Sequence, residues 1–145
     1  MTLINIANLT RYKISEKEIT KTIKKIITRL RREKNFSFLE TVELSIALIK
    51  EWEMKRINKK YRKINKPTDE LSFLLVKTKD KLSGEILFCP TIINQKNYSL
   101  LTTHYSLKLN YLLTHAFLHL CGFDHETDKD WKKMESVATR LTIDK

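Results

Sequence analysis

Residues 42–49 read Val-Glu-Leu-Ser-Ile-Ala-Leu-Ile. Val42, Leu44, Ile46 and Leu48 alternate with Glu43, Ser45, Ala47 and Ile49, and period two with β-branched residues predicts a strand. What flanks that strand decides the fold class. Upstream, residues 2–9 look like a short first strand. A helix then starts at Ser15, with Glu18 three residues on as a capping box. Its apolar positions, Ile19, Ile23, Ile26, Ile27 and Leu30, lie on one helical stripe. Downstream, residues 51–63 read as a short basic helix, broken by Pro67 and followed by a turn at Thr68-Asp69. Residues 71–76 are strand-like, 80–84 give a turn, and 86–89 form a further short strand, so an antiparallel hairpin is expected. Residues 100–121 hold no Gly or Pro and carry leucines at 107, 109, 112, 113, 118 and 120. A long helix covers much of that stretch and stops at Gly122, a left-handed terminator. Asp128 can cap a last helix that turns Trp131, Met134, Val137, Ala138 and Leu141 one way. Strands and helices are mixed along the chain, which predicts an α+β or mixed α/β layer protein.

At 145 residues, with no internal repeat and no low-complexity linker, a single domain over residues 1–145 is expected. A composition of 41% hydrophobic and 31% charged residues argues against disorder. No apolar run reaches the length of a membrane span, so no membrane partner is expected. The N-terminal stretch lacks the basic, apolar and small-residue pattern of a secretion signal. Two cysteines, Cys89 and Cys121, are too few for a disulfide framework. A reducing compartment follows, and hence a cytoplasmic location. The formal charge is +11, and it is concentrated. Residues 11–34 carry ten basic and three acidic side chains, and residues 51–66 carry seven basic and two acidic. Such a surface attracts polyanions, with nucleic acid the leading class. A solvated helix face accounts for part of the same pattern.

Three of the four histidines, His115, His119 and His125, fall in the eleven residues HAFLHLCGFDH. On a helix, positions i and i+4 share a face, so His115 and His119 can point at one ion. Gly122 lets the chain double back and bring His125 to a third corner. Three neutral imidazoles leave a fourth position open, the form of a catalytic zinc site, and the same donors also suit nickel, copper or iron. Zinc there would bring the pKa of bound water toward ~7 and make a hydroxide nucleophile. Cys121, two residues from His119, should point to the far side of the helix. Asp124 could hold an imidazole in orientation. His104 stands apart and takes no role. The spacing matches the metzincin protease pattern, except that Ala116 stands where the general-base Glu would be. Peptide hydrolysis is therefore disfavoured.

The same residues resemble a known family. HAFLHLCGFDH resembles the H-G-x-L-H-L-x-G-Y-D-H signature of YbeY-type proteins, bacterial metal-dependent endoribonucleases of rRNA maturation. INKKYRKINKPTDELSF resembles the family's L-N-x-x-Y-R, spacer and P-T-D-V-L-S-F, and Gly84-Glu85-Ile86 its G-D-I. Met134 and Glu135 also sit where the last family helix often has them. The departures are Ala116 for Gly, Phe123 for Tyr, Ile57 for Leu, Glu70 for Val and Glu85 for Asp. Glu70 puts a charge where an apolar strand residue is usual, which brings the local strand packing into question.

The resemblance implies an α+β fold with a mixed sheet of about four strands and several helices, and one zinc ion at a long helix and the turn after it. It also implies single-strand-specific cleavage of RNA in maturation of the small-subunit (16S) rRNA 3′ end, and a role in ribosome quality control. Partners would be rRNA and the small ribosomal subunit, with room for a ribosomal-protein or GTPase partner. Arg62 is then the candidate for stabilising transition-state charge, since a guanidinium binds phosphate bidentately. Asp69 is expected to cap a turn or to orient Arg62. Lys59, Lys60 and Lys63 would guide the RNA backbone. Two other readings are a zinc metallohydrolase of another class, with a peptidase-like site lacking its Glu base, and a non-catalytic ribosome-binding factor.

Overall fold

A computed structural model describes residues 1–96 and 105–123. The elements run β1 (Thr2–Asn8), α1 (Glu16–Leu30), a 3-10 turn (Ser37–Glu40), β2 (Thr41–Leu48), α2 (Glu51–Arg62), β3 (Glu70–Lys77), β4 (Lys81–Phe88), α3 (Pro90–Gln95) and α4 (Tyr105–Leu120). The four strands form one mixed sheet in the order β1-β2-β4-β3. β1 and β4 each pair parallel to β2, whereas β3 and β4 form the antiparallel hairpin. The α+β expectation holds. His104, Asp124, His125 and the helix expected after Asp128, with Met134 and Glu135, lie outside the described residues.

Alternation along β2 and β4 sets the layers. Val42, Leu44, Ile46 and Leu48 are buried on one face, in register with Leu82, Gly84, Ile86 and Phe88. That face packs against the stripe of α1, whose buried residues are Ile19, Ile23, Ile26, Ile27 and Leu30 as the periodicity predicts. It packs also against Leu109, Leu112, Leu113, Phe117 and Leu120 of α4. Burial of apolar surface at ~25 cal/mol per Å² makes this the dominant stabilising layer. A smaller cluster on the opposite face joins Met54 of α2 to Ile49, Leu71 and Cys89. α1 begins as its cap predicts, with Ser15 Oγ accepting from the Glu18 amide at 3.2 Å.

One local expectation needs correction. The hairpin turn is not 80–84: β4 already begins at Lys81, and the reversal closes with the Thr78 amide donating to the Lys81 carbonyl at 2.9 Å. Gly84 is a strand residue paired with Leu44 and Leu74. A Cβ there would lie 2.9 Å from Leu120 Cδ1 and 3.1 Å from the Phe73 carbonyl oxygen, so the glycine serves close approach of α4, not a turn. The basic helix ends before Pro67, at Arg62, where Lys63 takes a left-handed conformation with φ 60°. Buried Asn58 then fastens the returning loop through Nδ2 to the Lys66 carbonyl at 2.8 Å. β3, at the sheet edge, carries a bulge at Leu75: Leu74 pairs with Gly84 and Val76 with Ser83. Among the described residues, no helix is long and apolar enough to cross a membrane.

Candidate functional site

Between residues 108 and 120, α4 is buried on almost every side. The exceptions are Asn110, Tyr111, His115 and His119. Tyr111, His115 and His119 are spaced by four, so they form one stripe along the helix. The helix therefore shows water a single line of side chains, and two of the three are imidazoles. A helix apolar all round is what a position wedged between sheet and α1 demands. The polar stripe is the departure from that rule.

Both imidazoles are held at Nδ1. His115 Nδ1 lies 2.8 Å from the Tyr111 carbonyl oxygen, and its ring packs 4.2 Å from the Tyr111 ring. A carbonyl only accepts, so His115 Nδ1 carries the hydrogen and Nε2 carries the lone pair. His119 Nδ1 lies 3.3 Å from Ser72 Oγ on β3. This pattern, one ring nitrogen engaged and the other able to ligate, is the arrangement metal-binding histidines adopt. Two imidazoles one turn apart suit a borderline divalent cation such as zinc. The donor set thus fits a metal ion as far as the described residues extend, and His125 lies beyond them.

The helix ends where the glycine requires. Gly122 has φ 106°, its amide donates to the His119 carbonyl at 3.0 Å, and the Phe123 amide donates to the Leu118 carbonyl at 3.1 Å. These two bonds are a Schellman closure. Lys77 Nζ adds a bond to the Cys121 carbonyl at 3.2 Å. Cys121 itself is buried in the core cluster, away from the open stripe, and burial pushes its thiol up to about 12 against the opposing pull of Lys77. Ala116 is likewise a core residue, so its methyl group fills the interior rather than the open stripe.

Arg62 is exposed at the end of α2, and its charge acts on the Glu70 carboxyl. Lys59, Lys60 and Lys63 are exposed on the same stretch. Lys60 lines a concavity of about 410 Å³ with Arg56, Ile57, Tyr61 and Phe73. Phe73 and Ser72 are neighbours on β3 and point to opposite faces, so Lys60 and His119 lie on different sides of that strand. Asp69 Oδ2 lies 3.5 Å from Lys96 Nζ, and its carbonyl accepts from the Cys89 amide at 2.9 Å.

Glu70, marked in the sequence only as a packing problem, belongs with the histidines. It opens β3 and pairs across to Phe88. It shares a strand face with Ser72, the residue that meets His119. Burial raises the Glu70 carboxyl to about 7, with Asp69 pushing the same way and Ser72 and Arg62 opposing. The signal for this was the i, i+2 spacing of Glu70 and Ser72, which puts both on one strand face.

The fold is thus an α+β sheet whose covering helix turns two histidines toward water. The family model described as Endoribonuclease YbeY matches residues 5–143. A Buchnera aphidicola protein (Schizaphis graminum strain) named Endoribonuclease YbeY is 32% identical over 142 residues, covering 96% of this chain and 82% of the relative. A second Buchnera aphidicola relative of that name (Acyrthosiphon pisum strain) is 33% identical over 106 residues, 69% of this chain and 66% of the relative's length. Another, from Staphylococcus saprophyticus, is 32% identical over 77% of this chain and 76% of its own. The solution structure of TM1509 from Thermotoga maritima superposes with a TM-score of 0.60 at 23% identity, covering 96% of this chain and 89% of the other, and shares the fold. The chain belongs to the endoribonuclease YbeY family.

Proposed function

We propose that the chain is a metal-dependent endoribonuclease that cuts single-stranded RNA, with the 3′ end of small-subunit rRNA as substrate and the small ribosomal subunit as partner. Work on that subunit, in maturation and in quality control, would place the protein in the cytoplasm. The observation that carries the reading is the stripe on α4, where His115 and His119 are the accessible groups of a buried helix and are both engaged at Nδ1. With His125 they would hold one zinc ion, which when bound supplies Lewis acidity and an activated water.

The chain's own groups divide the remaining work. The Arg62 guanidinium is exposed and acts electrostatically on the pole of β3 that carries Ser72. Its planar fork suits the phosphate oxygens on which charge develops. Lys59, Lys60 and Lys63, exposed around the end of α2, would add non-specific attraction to the RNA backbone. Packing of α4 against the sheet and α1 gives the imidazoles a fixed backbone from which to act.

The test is cleavage of a small-subunit rRNA 3′ fragment by zinc-loaded protein, beside a chelated sample and His119→Ala. Discrete products should fall by more than ~100-fold in both controls, beyond what changes around a metal ligand produce. Products that persist in both would sink the assignment.

A further inference from the structure

The concavity beside α2 has a defined order of groups. It measures about 410 Å³ and, with Phe73 in its lining, opens on the face of β3 opposite Ser72 and His119. Glu85 of β4 lines it as well and pairs across to Phe73, so both side chains share that face. The Phe73 ring meets the Tyr61 ring edge to face, with centres 5.3 Å apart. Lys60 Nζ stands 5.2 Å from the Tyr61 ring centre. The concavity thus runs from a carboxylate, over two rings, to an ammonium.

Both ends of that row are open to a ligand. Glu85 is exposed and makes no hydrogen bond or ion pair among the described residues. Lys60 is exposed without a carboxylate partner among them, and Tyr61 keeps 59% of its surface in water. An accessible ring beside a cation suits a nucleotide, whose base stacks and whose phosphate takes the charge. The carboxylate then selects the base, because it offers only acceptors, side by side. Guanine is the one RNA base with two adjacent donors, N1–H and N2–H, on its Watson–Crick edge. Adenine and cytosine set an acceptor beside their donor, and uracil has one donor between two acceptors.

We infer that this concavity binds a guanine nucleotide of single-stranded RNA: the base lies on Tyr61, its N1–H and N2–H donate to Glu85, and Lys60 meets the phosphate. β3 is an outer strand, so a flexible single strand can pass round its edge and reach both faces of the sheet. One nucleotide then sits here while another meets the α4 stripe. No covalent bond is made or broken at this site. The inference rests on the RNA reading proposed above for its occupant, and deepens it by naming a base that the chain selects.

Amide nitrogen-15 spectra of the full chain, titrated with GMP, AMP, CMP and UMP, test it. GMP should bind ~10-fold more tightly than the other three, within the discrimination that one bidentate pair gives. It should move the amides of Tyr61, Phe73 and Glu85. Glu85→Gln, which sets a donor beside an acceptor, should abolish the preference and leave weak binding of all four. Tyr61→Leu keeps an apolar contact for Phe73 but removes the stacking ring, and should weaken all four ~10-fold. Thermal melting checks the fold of each variant, and Tyr61→Met replaces the leucine variant if that one does not fold. In a second arm, fluorescence anisotropy compares a labelled uridine strand with the same strand carrying one guanine. The guanine should tighten binding to the wild type and not to Glu85→Gln. Equal affinity for the four nucleotides, a preference that survives Glu85→Gln, or shifts confined to α4 would each overturn the guanine site. A GMP preference with no gain from guanine in the strand would overturn RNA as its occupant. No readout here uses cleavage, so a chain that cuts no RNA would sink the metal reading and leave the guanine result standing.

Discussion

Glu70 shows how much one side chain can depart from its ordinary chemistry. Its carboxyl is raised from the ordinary carboxylate range to about 7, first by burial, with Asp69 pushing the same way and Ser72 and Arg62 opposing. The folded chain therefore holds this proton more tightly than the unfolded chain does. Between those two values the folded state binds the extra proton, so the stability it contributes is full below ~4.5 and is lost as pH rises through ~7. The total is of the order of 3 kcal/mol. Urea unfolding of the zinc-free chain at acidic and at alkaline pH should show this loss, and Glu70→Gln should remove it from the difference between the two. Equal pH dependence in wild type and variant would mean the carboxyl is solvated. At this scale the sequence was uneven. His115 and His119 were legible because helical spacing is a local rule. The Ser72–His119 contact was not, because it joins a strand to a helix 47 positions away.

α4 shows what an element owes to its neighbours. Its C-terminus is closed by Gly122 and by Lys77 Nζ, which also sits 4.4 Å over the Phe38 ring. A cation at the last carbonyls of a helix stabilises by a few tenths to ~1 kcal/mol, and the lost hydrogen bond adds about as much. Lys77→Met should therefore lower the melting temperature by roughly 3–6 °C in a chain of this size. A fall of that size, followed by circular dichroism, supports the cap, and an unchanged melting curve argues against it. The stop at Gly122 was readable from a glycine after a leucine-rich run. The start of β4 was not, because Gly84 signals either a turn or a close approach, and only the position of Leu120 decides between them.

The whole molecule is a strongly basic body with its charge in two places. One is the outer face of α1, where Lys24, Lys25, Thr28, Arg29 and Arg32 surround a concavity of about 310 Å³. If single-stranded RNA crosses that face, each phosphate neutralised contributes a salt slope of ~0.7. Replacing Lys24, Lys25 and Arg32 together by Gln should reduce the slope of log affinity against log salt by ~2. Fluorescence anisotropy with a labelled single strand measures this, and an unchanged slope would remove α1 from the contact. At this scale the sequence showed the layers but not their order. The hairpin was legible because its strands are consecutive. The sequence carries no local mark of the parallel pairing of β1 with β2, or of β2 with β4, since their partners lie about 40 residues apart.

The bulge at Leu75 bears on solubility. β3 is an outer strand, and Leu74, Leu75 and Val76 are all exposed on it. A flat apolar margin of this kind is a template on which another copy's strand can grow. The register skip between Leu74 and Val76 breaks that template in the middle, so an incoming strand loses alignment after a few residues. Lys79, exposed in the turn that follows, adds a charge at its far end. One supernumerary residue thus interrupts the register that a second copy's strand would need to grow along this margin.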